Sequence, residues 1–200
     1  MATNTYHFVT TWRVESTLAE VMTILADGPG LVRWWPSVYL DVQELKPGDR
    51  DGLGKTVSLY TKGWLPYTLR WQFEFIEVRP PIGFTLKAWG DLEGIGIWTF
   101  EQEEGVGDPQ KPGWVRINYD WNITAEKPIL KYLSFVMKPL FSANHHWAMA
   151  RGEESLKLEL ARRQARSQAE QNLIPEPPGP TFGFLLPKNG KASTEPLASR

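Results

Sequence analysis

The chain has 200 residues, with 22 basic and 23 acidic side chains, a net charge of −1 and no cysteine. So even a balance offers no basic face for nucleic acid. The lack of cysteine removes disulfides, thiolate metal ligands and a cysteine nucleophile. Met1 to Val14 lacks the basic start and apolar run of a signal peptide, and no run approaches the roughly 20 apolar residues that span a bilayer. The expectation is a cytoplasmic protein.

Tyr6, Phe8, Thr10, Trp12 and Val14 alternate with His7, Val9, Thr11 and Arg13, the two-residue period of a strand. Thr17 followed by Glu20 is a capping-box pattern, opening a helix over Leu18 to Ala26 that Asp27-Gly28-Pro29-Gly30 stops. Leu31 to Trp35 makes one more turn, closed by Pro36. Strands then recur between turns over Tyr39–Leu45, Lys55–Lys62, Tyr67–Val78, Phe84–Trp89, Ile95–Glu101 and Val115–Ile123. Such spacing predicts an antiparallel meander.

Two strands are cleanly two-faced. Tyr67, Leu69, Trp71, Phe73 and Phe75 alternate with Thr68, Arg70, Gln72 and Glu74; Val115, Ile117, Tyr119, Trp121 and Ile123 alternate with Arg116, Asn118, Asp120 and Asn122. The apolar face needs a cover, and helices come last. Pro128 opens a short helix to about Met137, and Pro139 suits the first position of a long helix to about Ser167. Glu153–Lys157 and Glu159–Arg163 sit there at i,i+4. Residues 175–200 hold six of the sixteen prolines and read as a disordered tail. Phe182 to Leu186 is its one apolar island. The expected division is a domain over 1–170 and a tail over 171–200.

The order of elements predicts an α+β helix-grip fold: a curved antiparallel meander sheet wrapped around a long C-terminal helix, with two short helices after the first strand. Four stretches carry a family resemblance: Arg33-Trp34-Trp35-Pro36-Ser37-Val38, the segment from Thr61 to Trp71, Asn144-His145-His146-Trp147-Ala148-Met149, and Arg151 to Leu156. Over roughly residues 6–166 the chain resembles the START-like, or SRPBCC, superfamily, in its polyketide cyclase/dehydrase and lipid-transport group. The resemblance implies a ligand cavity between sheet and C-terminal helix. It does not choose between carriers, receptors and aromatase/cyclases, because fold does not fix chemistry.

The residues themselves exclude several sites. Gly48 to Thr56 has five residues between the first Gly and Gly-Lys-Thr, where a phosphate loop has four, and a strand follows; it reads as a turn. Gly94-Ile95-Gly96 lacks the third glycine of a dinucleotide motif and reads as a place for a bend or for ligand space. His145 and His146 are adjacent on a helix and point about 100° apart, so they cannot grip one metal together. No metal and no cofactor are expected. Asn144, in the apolar half of the last helix, needs a partner, which is either structural or a ligand. Arg33 reads as a solvated loop arginine, with closure over an anionic or carbonyl-bearing ligand as the alternative. Gly152 marks a close approach of sheet or ligand.

Ten tryptophans exceed what one core of this size requires, and aromatic rings dominate small-molecule pockets. The expected function is binding of a hydrophobic or aromatic small molecule, such as a lipid, isoprenoid or polyketide. Tyr67, Leu69, Trp71, Phe73, Tyr119, Trp121, Asn144 and Trp147 would line the pocket, with Trp34 and Trp35 near its entrance. The alternatives are a polyketide aromatase/cyclase templating a poly-β-ketone, and a peripheral lipid carrier in transient membrane contact through Trp34-Trp35. The ligand is the one partner expected, with no nucleic acid. Oligomeric state is left open.

Overall fold

The computed structural model describes residues 5–103, 113–126 and 134–182. Seven strands form one antiparallel sheet: β1 (Thr5–Ser16), β2 (Tyr39–Lys46), β3 (Thr56–Lys62), β4 (Thr68–Arg79), β5 (Gly83–Gly90), β6 (Leu92–Gln102) and β7 (Gly113–Ala125). Their spatial order is β1-β7-β6-β5-β4-β3-β2, a meander from β2 to β7 with β1 laid against the last strand. Helices α1 (Leu18–Leu25) and α2 (Leu31–Trp34) fill the gap between β1 and β2, and α3 (Ser134–Gln164) lies against the concave face. This is the helix-grip arrangement that the order of elements predicts.

Local chemistry accounts for the boundaries. The Glu20 N–H donates to Thr17 Oγ1 at 3.2 Å, while the Glu20 carboxylate turns to the Ser16 hydroxyl at 2.7 Å. The cap holds as a variant of the expected box, with Ser16 taking the return contact. Asp49 Oδ1 accepts from the N–H groups of Asp51 and Leu53 at 3.0 and 2.9 Å, an Asx-type turn. That turn leads straight into β3, so no helix N-terminus meets the Gly48–Lys55 loop.

The C-terminal region departs from expectation. Pro139 lies inside α3, at its sixth residue, rather than opening it, and the helix ends at Gln164. The helix expected from Pro128 falls partly on residues 127–133, outside the described residues. A further short helix, α4 (Gln168–Leu173), follows, capped by Ser167, whose hydroxyl accepts from the Glu170 N–H at 3.2 Å. Glu159 is not on a solvated face: it is 2% exposed and receives Arg33 at 2.6 and 2.8 Å and Arg163 at 2.8 Å. Burial alone would raise its carboxyl pKa, but the two guanidinium groups hold it below the usual carboxylate range. Arg33, its side chain still 57% exposed, is thus paired rather than free in solvent, and the pair ties α2 to α3. Among the described residues no helix is long and apolar enough to cross a membrane.

Candidate functional site

Opposed residues in an antiparallel pair share a face, so the register fixes the composition of the concave side. At one end of β5 and β6 that side carries Phe84, Leu86, Trp98 and Phe100. Toward the other end it carries Ala88, Gly90, Gly94 and Gly96, with Leu92 at the margin. The bulky end is packed tight. Trp12 is 2% exposed, with Trp98 and Trp35 rings 5.4 and 5.5 Å away, and Phe84 meets Phe75 edge-on at 4.8 Å.

The small residues leave bare backbone, and large rings lean over it. A Cβ on Gly96 would stand 2.8 Å from the Trp121 ring and 3.0 Å from Tyr119. Trp71 of β4 and Trp121 of β7 belong to strands separated by two others, yet their rings are 5.9 Å apart. Tyr119 continues this layer, stacked at 4.1 Å on Trp98 and 5.6 Å from Trp121. The Trp71 Nε1–H donates to Thr61 Oγ1 at 3.0 Å, which fixes its tilt. Gly96 therefore makes room for protein rings rather than for ligand directly, whereas Gly94 lets the β7 backbone at Asn122 and Ile123 come close, where a Cβ would stand 2.0 Å from the Asn122 carbonyl oxygen.

A cavity remains between these rings and α3. Trp35, Tyr39, Leu69, Trp71, Tyr119, Trp121 and Ile123 form its sheet side, and Phe141, Asn144, His145, Ala148 and Met149 its helix side. Centres of water-sized spheres have about 100 Å³ to move in, where one water needs about 10–15 Å³. The core is hollow at this end.

Six of the residues expected at the pocket meet there: Trp35, Leu69, Trp71, Tyr119, Trp121 and Asn144. Phe73 points to the same face but is covered by its neighbours, and Tyr67 and Trp147 are half-buried outside the cavity wall. Trp34 and Trp35 are not entrance residues. They are 1% and 3% exposed, because α2 turns both indoles inward under α3. Gly152 is the matching contact: a Cβ there would stand 2.3 Å from the Trp35 ring and 2.7 Å from that of Trp12. The close approach at Gly152 is thus to two indoles, one of them, Trp12, from strand β1 of the sheet. Tyr39, His145 and Phe141 were not legible as pocket residues; Tyr39 looks like an ordinary strand start, and the helix pattern around 140–149 is too mixed to show its inner face.

The polar groups of the wall are neutral or already engaged. Asn144 Oδ1 accepts the Leu65 N–H at 3.2 Å, so the amide clamps the β3–β4 connection while lining the cavity. Burial, and then the neighbouring His146, pushes His145 down to about 4, which leaves its imidazole uncharged at neutral pH. Burial pushes the Tyr39 and Tyr119 phenols upward. Lys62, the last residue of β3, also lines the cavity, and burial lowers its pKa; its ammonium donates to the Thr181 carbonyl, and the Thr181 hydroxyl donates to the Gly63 carbonyl at 3.2 Å. The segment after α4 thereby returns to the cavity rim. Among the described residues no group of three or more His, Asp and Glu could hold a metal.

No family model matches the sequence, and no curated protein matches it significantly. Solved structures do match in shape. The Zhui aromatase/cyclase from a Streptomyces species aligns with a TM-score of 0.59 at 15% identity, over 82% of this chain and 98% of that one. A START superfamily protein from Mycobacterium smegmatis aligns at 0.51 and 14% identity, over 75% and 98%. The chain has the START-like fold. The di-domain aromatase/cyclase BexL of the BE-7585A biosynthetic pathway aligns at 0.55 and 15% identity, over 82% of this chain and 51% of that one. This START-like chain thus spans about half of the di-domain protein, and at such identities the likeness carries fold and not chemistry.

Proposed function

We propose that this protein binds a hydrophobic or aromatic small molecule in the cavity between the sheet and α3. One observation carries the reading: the concave face is tightly packed at one end and hollow at the other, and the hollow is walled by Trp35, Trp71, Tyr119 and Trp121. An interior that closes around Trp12 has no packing reason to leave space beyond Trp35 and Tyr119 on the same face. Unfilled space costs dispersion contacts, and a ligand restores them.

The direct test is titration with tetralin, a bicyclic hydrocarbon, followed by quenching of tryptophan fluorescence. Saturable binding at one site per chain is expected. Absence of binding at the solubility limit of tetralin would overturn the reading.

The second reading is an aromatase/cyclase. The wall sets hydroxyl, amide and neutral imidazole groups around an apolar space, which suits holding a reactive chain in one conformer and polarising its carbonyls. Turnover of a poly-β-ketone mimic, lost in Trp71→Ala and Asn144→Ala, would favour it. A carrier loading through an exposed Trp34-Trp35 pair has no support, since both indoles are buried.

A further inference from the structure

Two hydroxyls of the wall are open to space, unlike His145 Nε2 and Trp35 Nε1, which lack partners but are enclosed. Tyr39 opens β2, its N–H bonded to the Trp35 carbonyl at 3.1 Å and its ring edge-on to Trp35 at 5.2 Å. Tyr119 is held between Trp98 and Trp121. Both rings are thus fixed by neighbours, and both line the cavity. Neither hydroxyl has a hydrogen-bond partner among the described residues, and neither is sealed away from open space as the Tyr67 hydroxyl is. A buried phenol ordinarily finds a partner. Here the open space must supply it.

Charge points the same way. Among the described residues the wall contains no aspartate, glutamate or arginine. Its lysine, Lys62, already donates its ammonium to the Thr181 carbonyl, and Arg33 is committed to Glu159. An ionised ligand would lose its hydration on entry and would have to displace the Thr181 carbonyl to reach the one cation of the wall, which costs more than placing a neutral oxygen there.

We propose that the cavity selects an uncharged apolar molecule bearing a carbonyl or hydroxyl oxygen, held by the hydroxyls of Tyr39 and Tyr119, and discriminates against carboxylates of the same skeleton. The inference rests on the cavity being a ligand site and adds the chemical class of that ligand. Both phenols stay protonated through the physiological range, since burial raises them, and their proximity raises Tyr119 further. They are therefore permanent donors to a ligand oxygen. The aromatic layer beneath takes the apolar body.

Three probes of one skeleton test this at pH 7.5: tetralin, 1-tetralone and tetralin-1-carboxylate, titrated by tryptophan quenching against wild type, Tyr39→Phe, Tyr119→Phe and the double variant. The wild type should bind the carboxylate at least about tenfold more weakly than the ketone. The double variant should lose roughly five- to tenfold in affinity for 1-tetralone while tetralin changes by less than about twofold. Unchanged melting of the single variants keeps folding out of the comparison. If tetralin binds but the ketone and the hydrocarbon lose affinity equally, or the carboxylate binds most tightly, the inference falls and the binding reading stands. If tetralin does not bind the wild type, both fall.

Discussion

The two ends of the concave face are built from the same strands and share their apolar alternation, yet one is solid and the other is not. At the solid end, β5 and β6 supply Phe84, Leu86, Trp98 and Phe100, and Trp12 packs against Trp98 beneath Gly152 of α3, with Trp35 the ring shared between this end and the cavity wall. At the hollow end, they supply Ala88, Gly90, Gly94 and Gly96 with only Leu92 as a larger side chain, and large rings from β4 and β7 span the gap. The difference is one of volume, not polarity. It teaches that a cavity can be encoded by where side chains are missing, with aromatic rings as its floor.

Truncation at the two ends should separate them most strongly. Trp12→Ala removes a 2%-exposed indole from the packed end and should cost about 3–5 kcal/mol in urea unfolding. Trp71→Ala already faces space on one side and should cost clearly less, while abolishing tetralin binding. Equal stability losses would break the distinction.

Filling makes the converse comparison. Gly152→Ala puts a methyl group 2.3 Å from the Trp35 ring and should destabilise by about 1–2 kcal/mol, despite the better helix propensity of alanine. Ala148→Phe, one turn earlier and facing the cavity, should change stability by less than about 1 kcal/mol and block tetralin. Chemical denaturation and the same quenching titration read both.

The smallest effect expected concerns pH. His145 is neutral in the fold down to about 4 but titrates near 6.5 when unfolded. Between those values the unfolded chain binds the extra proton, so stability falls as pH drops below about 6.5. Relative to wild type, His145→Phe should therefore gain roughly 1 kcal/mol on going from pH 7.5 to 5.5. A parallel pH dependence in the two proteins would place His145 in water rather than against Phe8, on which its ring stacks at 4.1 Å.

Much of this architecture can be read from the residues. Alternation in β4 and β7 gives the inner face, and Trp71, Tyr119 and Trp121 lie where that pattern puts them. What alternation lacks is position across the sheet. It does not show that Ala88, Gly90, Gly94 and Gly96 fall into one patch, because that depends on strand register. The Trp34-Trp35 doublet before Pro36 reads as a helix end at the surface. Its burial follows from α3 passing above it, with Gly152 as the only local sign. Arg33 looked like a loop charge because its partner, Glu159, is 126 residues away. Tyr39 carries no pattern of its own, and only the fold places it in the cavity wall.

The hollow end can be observed directly in crystals pressurised with xenon, which enters apolar cavities without demanding a hydrogen bond. The account predicts a xenon site between Trp71, Trp121 and Ala148, absent in Ala148→Phe, and none beside Trp12. A crystal structure with Trp71 and Trp121 collapsed onto α3 and no xenon between them would contradict it.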